Sequence, residues 1–334
     1  MGHVIVAHQY NIHYNINMIS QLTSLDKKTG TDLTGEIDFS NVLERSQLNF
    51  KMEKVPMHTP EGDEVSGKYL LRREDNHFVL GTCSDRYNIV DNEDMFAPFD
   101  ETVKDAGAVY ESAGIVNHGK TCWVSAKLPE NFRAADNKDD KFEQRVVMIV
   151  YHDGMRRNSF LSYNNRIVCN NMMASLTSAS KDRGFGVRHS TTWEDNLTQA
   201  RDAFSRSVGQ IKEFQHIASK LYKVNMSDGQ AKAFARSFFN DFRAPEAVKK
   251  ANVFRSDRSK TMMSNRVDDL YGLFKEGMGN EGKTRYDMMN AVTEYLDHHA
   301  KSSKNPSARK FISNLGSGMQ ARAKRVAVEH LLVA

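Results

Sequence analysis

Val146-Val147-Met148-Ile149-Val150-Tyr151-His152-Asp153-Gly154 opens the stretch, Arg145 to Ser190, on which the reading of this chain turns. An apolar run reaches Tyr151 and turns at His152-Asp153-Gly154, and the chain returns through Phe160 to Tyr163. That is a hairpin. Crossing Asn164-Asn165 into Arg166-Ile167-Val168-Cys169, the chain is expected to become helical from Asn170 to Ser180. Residues ahead of this stretch read as strands and residues beyond it as helix, so it is the seam between a sheet and a helical half.

Working back from the seam, two more hairpins and a further strand are expected. Strands over Val109–Ile115 and Lys120–Leu128 flank Asn117-His118-Gly119, and strands over Lys68–Arg73 and Phe78–Cys83 flank Glu74-Asp75-Asn76-His77. Period-two alternation of Leu48, Phe50 and Met52 against Asn49, Lys51 and Glu53 predicts a half-buried strand ahead of the Thr59-Pro60-Glu61-Gly62-Asp63 turn. Asp94 to Ala106 reads as a short helix interrupted by Pro98, and Pro129 to Lys141 as a loop. Residues 1–47 are polar and poorly periodic, and read as a peripheral arm. Hairpins joined in sequence make an antiparallel sheet with one face to be covered.

Downstream of the seam, Thr191-Thr192-Trp193-Glu194 is a capping box for a long helix carrying Leu197, Phe204, Ile211 and Leu221. Ser227-Asp228 caps a second helix that stops before Pro245, a third covers Met262–Lys275, and three more span Arg285–His299, Ala308–Leu315 and Met319–Val333. The fold class expected is α+β, an antiparallel sheet covered by and followed by helices. The expected parts are an arm over 1–47, a sheet with seam helix over 48–190 and a helical region over 191–334.

The chain has 334 residues and a formal charge of +4, but that charge is unevenly spread. Residues 1–171 hold 19 Lys+Arg against 25 Asp+Glu, a net −6, while residues 172–334 hold 27 against 17, a net +10. A basic half is the part to meet a polyanion. No window approaches the ~20 apolar residues of a membrane span. The N-terminus lacks a basic region followed by an apolar core. Three separated cysteines, Cys83, Cys122 and Cys169, suit a reducing cytoplasm, which is the expected location.

Several segments carry a resemblance. Gly282-Lys283-Thr284-Arg285-Tyr286 with Asn290-Ala291-Val292-Thr293-Glu294-Tyr295-Leu296-Asp297-His298 resembles the closing signature of the phage- and plasmid-borne family called domain of unknown function 932. So do Tyr110-Glu111-Ser112-Ala113-Gly114 with Gly119 and Trp123, then Arg166-Ile167-Val168-Cys169-Asn170-Asn171, then Val187-Arg188-His189-Ser190. The family usually has tryptophan where Tyr286 stands and threonine where Ser190 stands. The resemblance implies a mobile-element origin and a cytoplasmic α+β protein, and it implies no activity. A more distant fold-level likeness, to Rad52-type annealing proteins, rests on the sheet-then-helix order.

No catalytic group and no metal ligand set is nominated, and no cofactor is expected. A Cys169–His189 pair or His152 would be the groups of an enzyme, but no local motif surrounds them. His3, His8 and His13 at fivefold spacing converge on no metal, and Gly277 to Gly282 lacks the GK[ST] of a phosphate loop. The more suggestive set is cationic and aromatic. Arg156, Arg157, Tyr163, Arg166, Arg183 and Arg188 cluster in sequence around the seam, and Lys249 and Lys250 belong to a second basic run. Arginines beside rings are what single-stranded nucleic acid needs, phosphates on the cations and unstacked bases on the rings. The bland reading makes Phe160, Tyr163 and Phe185 core and pairs the arginines with the acidic half. The expected function is a nucleic-acid-binding accessory protein, single-stranded DNA favoured, annealing as an oligomer. The alternative is an interaction protein that blocks or recruits a host factor. Self-association is expected because Phe234, Phe238, Phe239 and Phe242 place rings on more than one helix face.

Overall fold

The structure, a computed structural model, describes residues 30–133, 140–154, 156, 158–166, 171–174, 185–187, 198, 202, 205, 213–242, 257–300, 311–315 and 318–333. In chain order these form β1 (Thr31–Asp32), α1 (Phe39–Arg45), β2 (Met52–His58), β3 (Glu64–Arg73), β4 (Val79–Ser84), α2 (Asn92–Asp105), β5 (Val109–Val116), β6 (Thr121–Arg133), β7 (Lys141–Tyr151), β8 (Asn158–Arg166), β9 (Asn171–Ala174) and β10 (Phe185–Val187). Helices come next: α3 at residues 213–222, α4 (Asp228–Ser237) running into a π-turn (Phe238–Phe242), α5 (Asp257–Glu276), α6 (Arg285–Glu294) with a π-turn (Tyr295–His299), and α7 (Met319–Val333).

The fold is α+β as expected, with antiparallel strands first and helices mostly after. The strands divide between two sheets, a division the hairpins alone do not announce. One is seven-stranded in the order β1-β5-β6-β7-β8-β10, with β9 also on β8; the other is the three-stranded β2-β3-β4. β7 occupies one edge of β8, so β10 and β9 share the other: β10 pairs at Asn158–Phe160 and β9 at Tyr163–Arg166.

The run Val146 to Val150 is the centre of this sheet and buried throughout. Val146, Met148 and Val150 join the main core with the helices, and Val147 and Ile149 face a second cluster with Trp123, Tyr163, Phe311, Leu315 and Ala321. A continuous apolar run is what a strand covered on both faces requires. The expectation of one covered face is therefore corrected, since the 311–315 segment and α7 supply the second cover.

Four local readings also change. Asn171–Ala174 is a strand on β8, not the start of a seam helix. α2 runs unbroken through Pro98, which gives up one backbone hydrogen bond and is buried within the helix. β6 continues through Pro129 to Arg133, shortening the expected loop. Residues 30–47 are no arm: β1 pairs with β5, and Leu33, Val42 and Leu43 lie in the main core. That core draws on described residues from Leu33 to Leu331.

Of the four phenylalanines behind the self-association expectation, the side chain of Phe242 lies outside what the structure describes. Phe234, Phe238 and Phe239 are buried in the chain's own core, Phe239 against Tyr295 at 5.2 Å between ring centres. Phe238 and Phe239 both fall in the π-turn and pack edge to face, 5.1 Å between ring centres.

Candidate nucleic-acid interface

β8 carries sequence-nominated residues at each end, and the two ends differ. At the N-terminal end, the turn after β7 is locked on three sides. His152 N–H donates to the Lys120 carbonyl (3.0 Å), and Tyr151 N–H donates to Asn158 Oδ1 (3.0 Å). Gly154 takes a φ of +72°, and a Cβ there would stand 2.4 Å from the Thr82 carbonyl oxygen. Only glycine suits that backbone and that approach. On this platform Arg156 lays its guanidinium over the Tyr151 ring, 4.0 Å from its centre, with a 49% exposed side chain. Its Nε pairs with Asp153 Oδ2 at 2.5 Å, and Nη2 reaches Thr121 Oγ1 at 3.4 Å. Burial raises the Tyr151 phenol; Arg156 works against that rise and Asp153 adds to it.

The neighbouring turn extends the surface. The exposed His118 stacks on Phe78 at 4.2 Å, and Lys120 Nζ lies 5.9 Å from the centre of the Phe78 ring. Cations over ring faces and a stacked ring pair thus occupy one end of the sheet. The register Val187↔Asn158 brings the last residue of β10 to the first of β8. Arg157 and Arg188 are the chain neighbours of that pair, though both lie outside the described residues. So do Arg183, Lys249, Lys250, Cys169 and His189.

The C-terminal end of β8 is a closed polar knot. Arg166 is fully buried. Its Nε donates to both Asp140 oxygens (2.9 and 3.0 Å), and Nη2 to Asp140 Oδ2 (2.6 Å) and the Gly279 carbonyl (2.9 Å). Nη1 donates to the Met278 carbonyl (2.7 Å) and Asn280 Oδ1 (3.4 Å). Tyr286 OH donates to Asp140 Oδ2 (2.8 Å), and burial holds that phenol well above its ordinary range. Every guanidinium nitrogen is engaged. A phosphate cannot reach this arginine without opening the joint between sheet and helices. Arg166 is therefore withdrawn as a backbone contact, and Tyr163 with it, because its buried ring packs on Phe311.

Two segments that carry the family resemblance, the one at Arg166 and the one ending at Tyr286, meet in this knot. Tyr286 joins it through its hydroxyl.

His152 is fully buried: Nε2 donates to Asn92 Oδ1 (2.7 Å), and the ring meets Phe50 edge-on. The Cys122 thiol, 3.9 Å from Asn92 Nδ2, is pushed far up by burial, so this trio holds no activated nucleophile. Among the described residues, no group of three or more His, Cys, Asp or Glu could hold a metal, and no helix is long and apolar enough to cross a membrane.

Sequence reasoning reached Arg156 but missed Lys120, His118, Phe78 and Tyr151. The Asn117-His118-Gly119 turn was legible as a turn, whereas its place beside Gly154 is set by the sheet.

The class defined by these features is an α+β protein with a doubly covered antiparallel sheet and a cation–ring surface at one sheet end. Residues 79–328 match the family described as Domain of unknown function (DUF932), and the chain belongs to that family. No curated protein and no solved structure matches, so the Rad52-type likeness has no structural neighbour behind it.

Proposed function

We propose that this chain is a phage- or plasmid-encoded accessory protein that binds nucleic acid in the host cytoplasm, single-stranded DNA in preference to duplex. The observation that supports it best is the crowding of cations and rings where the β5–β6 and β7–β8 turns lie side by side: Arg156 on Tyr151 and Lys120 near Phe78 and His118. Charge supports it from another direction. In residues 172–334 the described residues hold 13 Lys+Arg against 13 Asp+Glu, while the others hold 14 against 4. The positive excess thus belongs to stretches that include Arg183 and Arg188, on either side of β10, and Lys249 and Lys250.

The test is a titration of the full chain with single-stranded and duplex oligonucleotides across a salt series. Two phosphate contacts on single strands give a log–log slope of about −1.4, so a slope at least that steep, with single strands bound tighter, is expected. Binding that is absent or insensitive to salt would overturn the reading.

A second reading, an interaction protein directed at a host factor, has its own observation. The described residues of 30–166 carry 15 Lys+Arg against 22 Asp+Glu, an acidic half suited to a basic protein partner. Recovery of one host protein by the full chain, with no nucleic-acid binding, would favour it.

A further inference from the structure

The turn between β5 and β6 is wound against its own preference. Asn117 (φ 53°), His118 (φ 60°) and Gly119 (φ 104°) take left-handed backbone in succession, and the first two are not glycine. Such a conformation persists only where the surroundings impose it. Here Arg73 imposes it. Its Nη1 donates to the His118 carbonyl (3.0 Å), and its guanidinium lies 4.0 Å over the Phe50 ring. Nε and Nη2 are held by Asp75 at 2.8 and 2.5 Å. A Cβ on Gly119 would stand 2.8 Å from Phe50 and 3.4 Å from Arg73, so the loop sits tight on this support.

The product of that winding is an exposed imidazole with its inner face on Phe78 at 4.2 Å and 30°, and Lys120 alongside. A hairpin between two strands needs no such ring pair. A polar ring facing solvent, backed by an aromatic and flanked by an ammonium, matches one unpaired base and its phosphate. In duplex the base faces are already stacked, so this arrangement favours single strands.

We propose that His118, backed by Phe78, is a base-stacking subsite for single-stranded nucleic acid. The proposal rests on the nucleic-acid reading above and adds the group that would distinguish single strands from duplex.

The probe is a single-stranded oligonucleotide carrying 2-aminopurine, whose fluorescence falls on stacking, bound to the full-length protein. The parent should quench it. His118→Ala should bind single strands roughly five- to tenfold more weakly, with less quenching and little change in duplex affinity. His118→Tyr should restore both affinity and quenching; His118→Lys should restore neither. Parental quenching in folded His118→Ala would overturn the subsite while leaving the nucleic-acid reading in place, as would rescue by lysine and not by tyrosine. A parent that binds no nucleic acid would overturn both.

Discussion

Arg156 and Arg166 sit near opposite ends of one strand, and their surroundings divide them. Near one end, Arg156 lies over Tyr151 with about half of its side chain in solvent and Asp153 as its ionic partner. At the other, Arg166 is sealed between β7, the Met278–Asn280 loop and Tyr286, with Asp140 itself 2% exposed. The lesson is that an arginine in a basic stretch is not yet a binding residue. Arg156 keeps a face toward water, whereas Arg166 trades hydration for a full set of acceptors and joins the two halves of the molecule.

The largest effect that separates the two ends is on stability. Arg166→Met should leave Asp140 buried beside Tyr286 without its cation, lowering stability by about 3–5 kcal/mol. Arg156→Ala, which breaks an exposed pair, should change it by no more than about 1 kcal/mol. Urea unfolding of the two variants measures both, and equal losses would erase the distinction.

The ends should also differ in alkaline titration. Near the turn, Tyr87 is pushed up to about 12, first by burial and then by Cys83 and Asp153. At the knot, burial lifts Tyr286 well above its ordinary value. A raised phenol favours the folded state while protonated. The stability each contributes is therefore intact below the unfolded value near 10. Tyr87's share should be lost as pH climbs through about 12. Phenolate absorbance should show a step near pH 12 that is missing in Tyr87→Phe, while Tyr286→Phe should remove no signal from the ordinary tyrosine range. An ordinary titration of Tyr286 would mean that the knot is open to solvent.

Much of this contrast is readable in the sequence only where chemistry is local. The turns at Thr59–Asp63, Glu74–His77, Asn117–Gly119 and His152–Gly154 all join strands where their residues predict. Ser227 caps α4 where its place ahead of Asp228 predicts, because its hydroxyl and the Gln230 side chain three residues on suffice; the Thr191 capping box lies outside the described residues. What fails is non-local. Asn171–Ala174 has apolar residues that suit helix or strand, and β8's open edge decides the matter. Arg166 resembles a surface cation until Asp140, 26 residues away, and Met278, 112 residues away, are brought to it. The candidate site divides in the same way: Arg156 was legible beside its own turn, but its neighbour Lys120 reaches it through the β6–β7 pairing.

If the turn end of β8 binds nucleic acid and the other end only holds the fold, the salt dependence of single-stranded DNA binding should show it. The comparison is between the parent and Arg156→Ala combined with Arg157→Ala. Losing two phosphate contacts should flatten the log–log slope by about 1.4, at roughly 0.7 per contact, with unfolding unchanged. A folded double mutant with the parental slope would contradict that division and move the interface to the basic run at Lys249 and Lys250.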